Sequence, residues 1–108
     1  MNLIHDIHII EKTMSLKMVA GSDDEWVTGD WHLFPAEIKK IEGGNVFLHL
    51  TQKDGCHFGG TIVSVEHVDW GKNRVEIRFR RDPSLAGRVA NSNWGQDNAI
   101  IPRKQKAA

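Results

Sequence analysis

At 108 residues, 40% of them hydrophobic and 26% charged, the chain has the size and make-up of one soluble globular domain. No apolar run approaches the roughly 20 residues of a membrane span, and the start, MNLIHDIHII, lacks the basic segment and cleavage site of a signal peptide. One cysteine excludes an internal disulfide, and a formal net charge of zero argues against a protein that simply coats nucleic acid. A cytoplasmic protein with no membrane partner is therefore expected.

The charge is unevenly spread. Residues 1–71 hold five Lys/Arg against eleven Asp/Glu, and residues 72–108 hold nine against three. Either a basic face meets an anionic partner, or the two halves neutralise each other within the fold or between copies.

In chain order, the first segment is ambiguous. Leu3, Ile7, Ile10 and Met14 repeat at helical spacing, whereas Met14, Leu16, Met18 and Ala20 alternate as in a strand that ends at Gly21. The first half is either a helix or a partner strand. Ser22 to Glu25 forms a loop or capping box. The stretch EWVTGDWHLF places Trp26 and Trp31 around a Gly-Asp turn. Pro35 to Glu42 is a short helix, with proline at its first position, Ile38 and Ile41 on one face, and Gly43-Gly44 ending it.

Strands follow. Val46, Leu48 and Leu50 alternate with Phe47, His49 and Thr51, and a polar loop, QKDGCHFGG, comes next. Thr61 to Asp69 carries apolar residues on both faces, as a central strand does, with Val63, Val65 and His67 on one side and Ile62, Ser64, Glu66 and Val68 on the other. The DWGKN stretch is a turn. From Arg74 to Arg80, Val75, Ile77 and Phe79 point one way and the charged residues the other. Residues 84–99 form an ordered loop, and Ala99 to Ile101 a closing strand. Residues 1–101 make a single globular domain, and 102–108 a basic, disordered tail. The fold class is α+β: a small, curled, mostly antiparallel β-barrel with one or two short helices.

Few spacings point to specific chemistry. Cys56 and His57 are adjacent, and neighbouring side chains diverge in an extended loop, which disfavours both a shared metal and an ion-paired thiolate. A metal set of His49, His57 and His67 is conceivable, yet no C-x-x-C or H-E-x-x-H is present. No metal and no cofactor is implied. Gly59-Gly60 leads into a strand, so it is no phosphate loop of the kind that opens a helix. It suits a bulge or the close approach of another backbone or a flat ligand. Arg78 and Arg80 share one strand face, and Trp31 and Trp94 lie near glycines where indoles stack on bases. The alternative is a solvated arginine face, with the tryptophans plugging the core.

The runs Ile41-Glu-Gly-Gly-Asn-Val-Phe-Leu-His49, Phe58-Gly-Gly-Thr-Ile-Val-Ser-Val65 and Arg74-Val-Glu-Ile-Arg-Phe79 together resemble the core of the PUA-like superfamily, which includes the EVE, ASCH and YTH domains. The resemblance spans about residues 35–80, with Gly44-Asn45 where the family has a glycine-aspartate turn. It implies a pseudo-barrel whose glycine-led loop lines a cleft for a nucleobase, nucleotide or single strand. The expected function is thus a binding module for RNA, DNA or a nucleotide, with a modified base among the candidate ligands. Its expected ligand-binding residues are Trp31, His49, His57, Phe58, Gly59, Gly60, Arg78, Arg80 and Trp94. A small hydrolase on a nucleoside-like substrate, with His57 as its acid or base, and a non-catalytic homodimer are the alternatives.

Overall fold

Seven strands and one α-helix make up the computed structural model, which describes residues 4–11, 16–69, 71–90, 94–95 and 98–102. They are β1 (His5–Ile10), β2 (Lys17–Met18), β3 (Glu25–His32), α1 (Pro35–Ile41), β4 (Asn45–His49), β5 (Phe58–His67), β6 (Arg74–Arg81) and β7 (Asn98–Pro102), with a 3₁₀ turn at Pro83–Leu85. Met14, Trp70 and the tail from residue 103 lie outside the described residues. No described helix is long and apolar enough to cross a membrane.

The strands form one sheet in the order β2-β3-β6-β5-β4-β1-β7. All neighbours are antiparallel except β1 and β4, which run parallel. The fold is mainly β, with about half of the described residues in strands, rather than α+β. The expected barrel does not close, because β2 and β7 are edges with no pairing between them. The sheet is nonetheless curled. Thr28 on β3 reaches Glu11, just past β1, at 3.1 Å, although three strands separate β3 from β1.

Alternation explains the concave face. Val75, Ile77 and Phe79 of β6 are fully buried, as that strand's pattern requires. They pack with Ile7 and Ile9 of β1, Val46 and Leu48 of β4, Ile62 of β5, and Leu33 and Ile41 around α1. Proline starts the helix, Glu37 accepts a bond from the Phe34 amide, and Gly43 (φ 79°) follows its end.

One sequence ambiguity is settled, and two expectations fail for local reasons. The ambiguous first segment is a strand, and its parallel pairing with β4 puts Ile7 and Ile9 in the core. The Gly29-Asp30 turn is absent. β3 runs through it, absorbing the glycine as a register shift between Thr28 and Trp31. A Cβ on Gly29 would come within 2.8 Å of Glu76 Cγ, so the position needs glycine's bareness, not its flexibility. A second register shift, between Ile62 and Ser64, rephases β5. Val65 therefore packs on the same core as Ile62, and Val63 is left exposed.

The convex face is also partly covered. His8, Phe47, His49 and Ala99 are buried there, beneath the loop 50–57 and the segment 82–90. Phe47, Cys56 and Leu85 form a second small apolar cluster.

Candidate functional site

The loop after β4 is tied down along its length. Within it, the Thr51 hydroxyl donates to the Asp54 carboxylate and accepts from the Asp54 amide. The Cys56 amide donates to Arg88 O at 2.8 Å, and the Gly87 amide donates to Cys56 O at 2.9 Å. Gly55 backs onto Gly87 so closely that a Cβ there would lie 2.7 Å from the Gly87 oxygen. The Cys56 thiol is buried and donates to Leu85 O at 2.9 Å. It packs against Phe47 and Leu85 and tethers the loop. The His57 amide then pairs with Leu48 O, and β5 begins.

Where this loop enters β5, a cleft of about 120 Å³ opens. His57, Phe58 and Gly59 form one wall, and Arg81, Asp82, Pro83 and Ala86 the other. The Asp82 amide donates to Gly59 O at 2.9 Å and joins the two walls. The Arg81 guanidinium sits over the Phe58 ring, 4.9 Å from its centroid, and both Trp26 and Phe79 hold that ring edge-on. The Ser84 hydroxyl (2.6 Å) and amide (3.0 Å) donate to Asp82 Oδ1 and hold its carboxyl below the usual range. The cleft thus presents a forked cation, a fixed carboxylate and an exposed imidazole side by side.

Behind the same loop lies a buried histidine chain. His8 Nδ1 is 2.8 Å from His49 Nε2, and His49 Nδ1 is 2.8 Å from the Asp54 carbonyl oxygen. A carbonyl only accepts, so His49 Nδ1 carries the hydrogen, and in the neutral pair His8 Nδ1 donates to His49 Nε2. Burial, and then the neighbouring His49, lower the His8 pKa to about 4, with Asp6 opposing. Burial also lowers that of His49, against the pull of the Asp54 carbonyl and with a further push from His57. Phe47 stacks on His8 at 4.4 Å, and Trp94 meets both imidazoles edge-on.

The expected ligand-binding residues scatter. His57, Phe58 and Gly59 line the cleft. Gly60 lies one step inside, where a Cβ would overlap the Arg80 carbonyl oxygen, so the close approach there is by a neighbouring strand. His49 is fully buried, and Trp94 packs beside it with its indole N–H on Ala90 O. Trp31 lies against the concave core, donating to the Thr28 hydroxyl, away from the loop. Arg78 is paired with Glu25 at 2.6 Å, and Arg80 lies near Asp24 (3.4 Å) and Glu25 (3.6 Å). Basic and acidic halves thus neutralise each other within one chain here, as one of the sequence alternatives held. His67 ends β5 at the opposite end from His57, and no group of three His, Cys, Asp or Glu among the described residues is placed to hold a metal ion.

Arg81 and Asp82 are not among the expected ligand-binding residues, although Asp82-Pro-Ser84 is a recognisable side-chain-capped turn at the end of β6. In the sequence, His8 stands in an H-x-x-H with His5. Its partner lies 41 residues away, so no local spacing announces the pair. Comparison of the chain with protein-family models, with curated proteins and with solved structures finds no match.

Proposed function

We propose that this chain is a small binding module for a nucleotide or a single strand of nucleic acid, with the cleft between His57–Gly59 and Arg81–Ala86 as its site. One observation carries the reading: Arg81, exposed and without a carboxylate partner among the described residues, lies over Phe58 in a cleft that His57 also lines. Arg81 supplies forked donors for a phosphate or a base carbonyl, and Asp82 accepts from a base N–H. The cleft holds a phosphate or a base edge rather than a whole drug-sized ligand, which needs about 300 Å³ or more. A strand lying across the surface suits it better than a deeply enclosed small molecule. The order of α1, the Gly43-Gly44 turn, β4 and the glycine-led β5 supports the PUA-like reading of residues 35–80 at the level of pattern.

The test is a fluorescence-anisotropy titration of labelled short single-stranded RNA and DNA, with unlabelled nucleotides as competitors, at about 50 and 200 mM salt. Binding that weakens with salt is expected, since phosphate contacts release counterions. Absence of binding to every probe at low salt would overturn the proposal.

A further inference from the structure

The histidine pair behind the loop has a property that an apolar pair there would lack. Of its four ring nitrogens, three are committed: His49 Nδ1 to the Asp54 carbonyl, and His49 Nε2 and His8 Nδ1 to each other. His8 Nε2 keeps a lone pair. A first proton taken up at His8 Nε2 leaves both hydrogen bonds intact. A second would have to enter at His49 Nε2, where two N–H groups would face each other across 2.8 Å. The closed pair therefore holds at most one proton, whereas two imidazoles released to water take two.

We propose that the His8–His49 pair is an acid-released latch on the loop 50–57, which loosens the cleft as pH falls. The effect on binding rests on the cleft reading above, but the latch itself does not. The loop is bonded to the pair through the Asp54 carbonyl, and it carries His57, which lines the cleft and leads directly into Phe58 and Gly59. Its other ties are the backbone bonds at Cys56, His57 and Gly87, the Cys56 thiol on Leu85 O and the Gln52 side-chain amide on Gly95 O, none of which passes through an imidazole. The groups facing the pair have known senses. Asp6 favours a proton on His8, and His57 disfavours one on His49. The Asp54 carboxylate is turned to Thr51, the Cys56 thiol is bonded to Leu85 O, and Glu11 lies on the concave side with Thr28. Trp94 and β7 bring no charge.

Opening takes up protons, so it is favoured as pH drops below the ordinary imidazole value of 6.5 and gains nothing more from His8 below about 4. Between pH 8 and pH 5, His8 alone raises the opening equilibrium about 30-fold. Amide hydrogen exchange at the two pH values, corrected for intrinsic rates and read without ligand, tests this. The Cys56 and His57 amides should lose protection by that factor, while Val65 and Ile77 in β5 and β6 keep theirs. The double variant His8→Phe/His49→Asn should make loop protection independent of pH. Should that variant fail to fold, nitrogen NMR of the wild-type imidazoles decides in its place, with His49 expected as the Nδ1–H tautomer at pH 7.5. Loop protection that stays level with that of Val65 and Ile77 down to pH 5, or an Nε2–H tautomer at His49, would overturn the latch. Failure to bind any nucleotide or strand at pH 7.5 would overturn the cleft reading alone.

Discussion

The Thr28 hydroxyl donates to the Glu11 carboxylate at 3.1 Å across the inside of the sheet, and the Trp31 indole N–H donates to that same hydroxyl at 3.1 Å. Thr28 is fully buried and Glu11 nearly so. The contact joins two parts of the sheet that three strands separate, and it holds the curl that strand pairing leaves open.

Thr28→Val is the sharpest test of that role, because it keeps the shape and removes the hydroxyl. Trp31 Nε1 would lose its acceptor and Glu11 one of its donors, at a cost of about 1–3 kcal/mol for polar groups stranded in a dry interior. Urea unfolding of the variant should show that loss. A change of less than about 0.5 kcal/mol would mean that the contact contributes little to the curl.

Stability should also depend on pH through the buried imidazoles. Both are held neutral in the folded chain, His8 down to about pH 4 and His49 in the same direction. Above pH 6.5 neither the folded nor the unfolded chain protonates them, and their contribution is fully present. As pH falls from 6.5 toward 4, the unfolded chain takes up protons that the folded one refuses, so stability is lost. For His8 the full loss is on the order of 3 kcal/mol. Unfolding free energies at pH 7.5, 6.5, 5.5 and 4.5 should trace this fall, and His8→Phe should be flatter over the same range. A wild-type curve level between pH 6.5 and 4.5 would count against both lowered values.

Much of the concave core was legible, because β6 writes its alternation plainly and Pro35 and Gly43-Gly44 bracket α1. The misreadings share one cause. A bulge adds a residue without changing composition, so the pattern around Val63 and around Gly29-Asp30 looks regular, or looks like a turn, until a partner strand sets the register. The site was half legible for a related reason. His57, Phe58 and Gly59 stand together in sequence, whereas Arg81 meets Phe58 only because β5 and β6 pair, and His8 meets His49 only because β1 lies parallel to β4. Arg78 and Arg80 were attractive as a stripe, and their neutralisation by Asp24 and Glu25 depends on β3 lying beside β6.

Gly60→Ala should be among the most damaging single-methyl changes in the chain. The added Cβ would overlap the Arg80 carbonyl oxygen, a main-chain atom of the neighbouring strand that no rotamer change can move. The β5–β6 pairing would have to part at the end that carries the cleft. A loss of at least about 2–3 kcal/mol is expected, as for overpacking in a core. Gly43→Ala, where nothing lies within 4 Å and only the positive φ of 79° is strained, should cost less, about 1 kcal/mol. Thermal unfolding of the two variants side by side would check the order, and the reverse order would show that the β5–β6 approach is soft.

The two arginines separate a binding role from a structural one. Arg78 is half-buried and paired with Glu25 at 2.6 Å, so Arg78→Ala should lower stability by up to about 1 kcal/mol and leave binding unchanged. Arg81 is exposed over Phe58 and lines the cleft, so Arg81→Ala should leave stability within about 0.5–1 kcal/mol of wild type, the worth of an exposed cation–π contact. It should weaken the binding of single-stranded probes about tenfold and make that binding less sensitive to salt, by the loss of about one phosphate contact. Arg81→Lys should recover the salt sensitivity but only part of the affinity, because an ammonium keeps the charge and loses the planar fork. Equal weakening by Arg78→Ala and Arg81→Ala would point to a diffuse basic surface rather than this cleft, since only one of the two side chains borders it.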